Sequence, residues 1–147
     1  MNWECIYQNP YKITHETAVQ SLQYKINHRF YPCNYMLSIW FDNFDPLCSE
    51  CNEKDFLEHF FYHCPHVYNY WQDLQEWFYK NFQIKINLTK VDVLFGIIKE
   101  NEDDFINIMN YCILYSKWFI HIVKSHDEEP VLINSLIVLK RKMDRTE

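Results

Sequence analysis

Cys48-Ser49-Glu50-Cys51, with His59 and Cys64 behind it, restricts the fold more than any other feature of this chain, because four soft ligand side chains crowd into residues 48–64. A cation held by all four pins two backbone segments to one point. Thiolate and imidazole in this number suit zinc, which takes four tetrahedral ligands, and a Cys-x2-Cys turn offers two sulfurs to one ion without strain. The second pair has to arrive from a separate segment. Residues 55–64 read as a short helix, with Asp55 as N-cap and Glu58 as its capping-box partner, placing His59 on the first turns and Cys64 at the end before Pro65. Protein atoms then fill every coordination position, which makes the site structural rather than catalytic. His63 competes with Cys64 for the fourth place, since His59 and His63 at i and i+4 share a helix face, and His66 is a weaker competitor. A redox Cys-x2-Cys pair needs a βαβ setting that the sequence lacks. Free cysteines are often simply buried, yet three of the six cysteines and three of the seven histidines fall between positions 48 and 66.

The chain of 147 residues suits one domain with a sizeable core. With one glycine, five prolines and an aromatic share of 18%, it has the composition of a folded protein. No apolar run is long enough to span a bilayer, and the first ten residues lack the apolar stretch of a signal peptide. Six unevenly spaced cysteines without an export signal point to a reducing intracellular compartment, cytoplasm or nucleus. The formal net charge of −6 rules out the broad phosphate-neutralising surface of a nonspecific duplex binder. Positive charge is sparse over residues 1–75, where only Lys12, Lys25, Arg29 and Lys54 carry it, and dense only at Lys140, Arg141, Lys142 and Arg145.

Apolar periodicity predicts a succession of helices from residue 16 onward. Ala18, Val19, Leu22, Ile26 and Phe30 mark the inner face of a helix over 16–30 capped by Thr14. Asn34 caps a short helix through Phe41, and a turn over 42–46 leads into the knuckle. Pro65 opens a long helix with the stripe Val67, Tyr70, Trp71, Leu74, Trp77, Phe78 and Phe82. After a brief extended stretch at Ile84–Leu88, Thr89 and Asp92 cap a segment interrupted by Gly96. The longest helix is expected over 102–124, with Phe105, Ile106, Met109, Cys112, Ile113, Phe119, Ile120 and Val123 inward, and a last one over 130–142. The expected architecture is one all-α domain over 1–147, with a zinc knuckle at 46–66 set between helices.

Catalytic groupings are missing. Glu100, Glu102, Asp103 and Asp104 are clustered at a helix start, where acidic side chains complement the dipole, instead of converging on paired metals. A single glycine leaves no phosphate loop or nucleophile elbow, so no catalytic residue is assigned and an enzyme is not expected. Lys25, His28 and Arg29, beside Phe30 and Tyr31, combine cations and rings as single-strand binders do. The competing reading makes Phe30 core and Arg29 an ordinary surface charge. Lys140, Arg141 and Lys142 are candidate phosphate contacts that double as favourable charges at a helix C-terminus.

With these residues set out, the chain resembles the zinc-binding domain that follows the polymerase in LINE-type retrotransposon reverse transcriptases. The likeness rests on residues 21–30 (SLQYKINHRF), Cys48-x2-Cys51, Glu58-His59, Cys64, Trp71, and Asp92-Val93-Leu94-Phe95-Gly96, and extends from Lys12 to Met143. It implies a noncatalytic segment that helps hold RNA or single-stranded DNA beside the polymerase portion of a parent element, with zinc on Cys48, Cys51, His59 and Cys64. The paired aspartates of the polymerase and the endonuclease lie outside the resemblance, so neither activity carries over. Met1 stands just ahead of it, which implies a truncated element copy or a stand-alone derivative. Two alternatives remain open here: a zinc-stabilised scaffold for protein contacts, and a remnant without function.

Overall fold

The computed structural model describes residues 2–98 and 103–146, with side chains as far as Arg141. It is a single all-α domain. Among the described residues the order is α1 (Trp3–Ile13), α2 (Thr17–Asn27), α3 (Asn34–Trp40), a π-type turn (His59–His63), α4 (Pro65–Phe82), α5 (Lys90–Phe95), α6 (Asp104–Ser125) and α7 (Leu132–Thr146).

α6 is the axis of the core. Its six consecutive residues Cys112 to Lys117 are all buried, because α1, α2 and α7 pack around it and the inner face of α4 shares its core. Asp103 caps it through a 2.7 Å bond from the Ile106 amide, as an acidic helix start should, whereas Glu100 and Glu102 lie outside the described residues. The stripe of α4 buries Val67, Tyr70, Trp71, Leu74 and Phe78, with Phe82 left 40% exposed at the end. Tyr70 crosslinks three helices, its hydroxyl lying 2.8 Å from both Ser116 Oγ and Ser135 Oγ. Thr89 and Asp92 form the expected capping box at α5. Gly96 ends that helix at φ +87°, a left-handed backbone that glycine tolerates, and an added Cβ would stand 3.2 Å from Asn110 Oδ1.

α1 lies outside the segments that the periodicity assigned, and α2 ends earlier than predicted. α1 forms despite Pro10, since the Asn2 side chain accepts the Cys5 amide and Ile6 and Pro10 are both buried in the packed structure. Tertiary packing outweighs the proline there. α2 stops at Asn27, short of the predicted Phe30. Arg29 turns left-handed at φ +59°, and the Phe30 amide reaches back to the Lys25 carbonyl at 2.8 Å while the Arg29 amide reaches Ile26, a Schellman stop made without glycine. That turn throws Phe30 off the inner face, and it is 54% exposed. The expected N-cap also shifts: Glu16 precedes α2, and Thr14 Oγ1 accepts the Glu16 amide instead.

Candidate metal centre

The ligand loop begins as a tight turn. Pro46 and Asp55 approach across its neck, where the Asp55 amide donates to the Pro46 carbonyl at 2.9 Å and Leu47 pairs with Lys54 in an isolated bridge. Inside, the Cys48 amide donates to Glu53 O at 2.7 Å and the Asn52 amide to Cys48 O at 3.0 Å. Asn52 adopts φ +59°, which its short polar side chain tolerates. These bonds bring Cys48 and Cys51 to one side.

The other two ligands come from the π-type turn. Its bond from the Cys64 amide to the His59 carbonyl, 2.9 Å, spans five residues instead of four. On so wide a turn the residue five places on returns to the starting face. His59 therefore shares its face with Cys64, while His63 is exposed and Cys64 fully buried. Ordinary helical winding would have favoured His63, which is why the sequence left that choice open. His66 faces elsewhere, its Nδ1 lying 2.9 Å from Glu129 and its Nε2 3.7 Å from Glu50.

The Sγ atoms of Cys48, Cys51 and Cys64 and a ring nitrogen of His59 all lie within 4.8 Å of one another. Cys51 Sγ and His59 Nε2 are 3.2 Å apart. A tetrahedron with zinc–sulfur bonds of about 2.3 Å has edges of ~3.8 Å, so the four atoms need to close by about an ångström at most to hold such an ion. The donor set fits a metal. Burial pushes the Cys64 thiol up to about 11, and the Lys124 ammonium pulls against it; burial likewise raises Cys51. A cation is what converts such sheltered thiols into thiolates. Burial lowers His59, favouring the neutral imidazole that a metal requires, against the opposing pull of Asp55.

Two residues supporting this site escaped sequence reasoning. Lys124, at the end of the longest predicted helix, donates to the Phe60 carbonyl at 3.2 Å with its ammonium 4.0 Å from the Phe60 ring centre. A divalent ion with three thiolates carries one net negative charge, and Lys124 is placed to offset it. Asp55 was expected to cap its own segment with Glu58. Instead its Oδ2 accepts the amide of Asn34 at the start of α3, its Oδ1 is buried without a hydrogen-bond partner, and Glu58 pairs with Arg29 at 2.6 Å. Its position four residues before His59 was the available signal. Trp71 locks the turn from behind, its Nε1 donating to the Phe61 carbonyl at 2.7 Å.

The basic candidates lie on two helices. Lys25, His28 and Arg29 sit at the C-terminal end of α2; Lys140 and Arg141 are exposed on α7, and the Lys142 side chain lies outside those described. No helix among the described residues is long and apolar enough to cross a membrane. No protein-family model, curated protein or solved structure matches the chain.

Proposed function

We propose that the chain is a noncatalytic, zinc-stabilised helical module that assists the binding of RNA or single-stranded DNA, of the kind that follows the polymerase in LINE-type retrotransposon reverse transcriptases. The observation that carries this reading is the convergence of three cysteine sulfurs and one imidazole within 4.8 Å. With four protein donors no coordination position is left for a reacting water, so the ion is structural. Free cysteines throughout suit a reducing cytoplasm or nucleus. Lys25, His28 and Arg29, together with Lys140, Arg141 and Lys142, supply phosphate contacts, and the acidic remainder of the surface keeps affinity weak unless a polymerase portion contributes its own charge.

Metal analysis of purified protein tests the first half: one zinc per chain is expected, and none in Cys48→Ser or Cys64→Ser. Unchanged metal in both variants removes the site. Binding of short RNA and single-stranded DNA at two salt concentrations tests the second half, because phosphate contacts lose affinity steeply as salt rises. A second reading, a protein-contact scaffold, draws on the exposed Trp40, Phe41 and Phe44 ahead of the ligand turn. Association insensitive to salt supports that alternative.

A further inference from the structure

Resting on the single-strand reading above, we propose that the start of α1 and the end of α2 form a stacking platform for unpaired bases. Trp3, Tyr7, Tyr24 and Phe30 are 44%, 42%, 50% and 54% exposed, although rings of this size ordinarily bury themselves. They are not scattered. Tyr7 and His28 stack with ring centres 5.2 Å apart and planes within 9°; Trp3 lies 5.9 Å from Tyr7 at 30°, and Phe30 6.1 Å from His28 at 24°. Four rings thus form a near-parallel column, with Tyr24 leaning on His28 at 4.3 Å.

Folding details hold the column open. The Schellman stop at Arg29 turns Phe30 outward, and the edge of Trp3 rests on Phe95 at 5.5 Å, which fixes the far end. Surface aromatic clusters of this kind mark a binding face. Charge decides the occupant. Lys25, next to Tyr24, is exposed and makes no ion pair among the described residues, and the Arg29 guanidinium, 61% exposed, is engaged on one side by Glu58. Rings that accept base faces beside cations that accept phosphates are the chemistry of single-strand binding. A duplex is the wrong partner, since its bases are already stacked and its phosphates demand far more positive charge than a chain of net charge −6 offers.

Fluorescence anisotropy with a labelled oligouridylate of about ten nucleotides, beside an abasic strand of equal length, tests the platform on the full chain. Tyr24→Ala with Phe30→Ala should weaken binding to the base-bearing strand roughly tenfold per ring while leaving its salt dependence unchanged. Trp3→Ala, on the other helix, is an independent arm with the same expectation. Lys25→Ala should instead weaken both strands and flatten the salt dependence. Because the rings are exposed, unaltered circular dichroism is expected in every variant. Wild-type binding that survives all the ring substitutions, or equal affinity for the abasic strand, overturns the platform and leaves the single-strand reading standing. Wild-type protein that binds neither strand sinks that reading, and the platform with it. Self-association abolished by Tyr24→Ala makes the patch an interface between copies, which also overturns the proposal.

Discussion

The turn over 46–55 and helix α6 are held by different physics. α6 is surrounded by apolar side chains over most of its length, so its position is fixed by burial that no ligand is needed to sustain. The turn carries Cys48 and Asp55 inward but exposes Ser49, Glu50, Asn52, Glu53 and Lys54, and its internal order rests on a few backbone bonds. The π-type turn belongs with α6, since Leu57, Phe61 and Cys64 are part of the main core. The metal centre therefore joins one limb that is already anchored to one that is not. If the site holds the proposed ion, order in the second limb depends on it.

The largest expected effect comes from breaking that joint. Structural zinc contributes an apparent 10–16 kcal/mol, roughly, in finger peptides that lack a core; here chelation should release only a fraction of it. Hydrogen exchange should accelerate over residues 46–55 and remain slow along α6. Global loss of helical signal on chelation would erase the distinction between the two regions.

Next comes Trp71→Ala, which strikes the anchored limb. Emptying a fully buried indole site typically costs about 3–5 kcal/mol, and it also frees the Phe61 carbonyl. Thermal denaturation should show the loss with metal bound and with metal removed. An effect seen only in the metal-bound protein would place Trp71 with the ion instead of the core.

A sharper probe of the core is Lys117. Burial pushes its amine down to about 7, although it donates to Gln23 Oε1 and to the Leu94 carbonyl, the latter at 2.8 Å. In the unfolded chain the same amine titrates near 10.4, roughly. Between those values the unfolded state holds the extra proton, so stability rises with pH by up to about 1.4 kcal/mol per unit; below about 7 the full penalty of the buried charge persists. Lys117→Met should abolish that slope, which paired denaturation curves at pH 6 and pH 9 measure directly. An unchanged slope would mean the charge is not carried by this amine.

Weaker still is Asp55→Asn. Asp55 acts on the His59 imidazole through charge instead of a hydrogen bond, so its loss should fall at or below the low end of the about 10–100-fold seen for bonded outer partners, and competition with a chromophoric chelator should read about tenfold or less. The smallest change belongs to Arg29→Ala, whose exposed pair with Glu58 contributes at most about 1 kcal/mol.

Much of this division was legible beforehand. Spacing alone singled out Cys48, Cys51 and His59, with Cys64 preferred but His63 competing for the fourth place, and apolar periodicity found the inner faces of α4 and α6, because both signals are local. What escaped was decided by long-range contacts. No apolar stripe marked α1 in the sequence, and the helix carries Pro10 inside it while burying Ile6 and Pro10 against its neighbours. Phe30 continued the α2 stripe by number, yet one left-handed arginine turned it outward. Lys117 sits among buried neighbours with no flanking cue, since its acceptors come from residues distant in the chain. The choice between His63 and Cys64 hung on the winding of a single turn.

That winding has a consequence for how the segment tolerates changes of length. The wide turn at His59–His63 is an ordinary helical turn carrying one surplus residue. Dropping a residue between the two ligands lets the coil relax to its usual pitch with the cysteine four places on, still on the ligand side. Adding one leaves no regular coil that returns the sulfur to the ion. Shortening is survivable and lengthening is not, an asymmetry opposite to that of most surface loops, where extra residues are absorbed at little entropic cost.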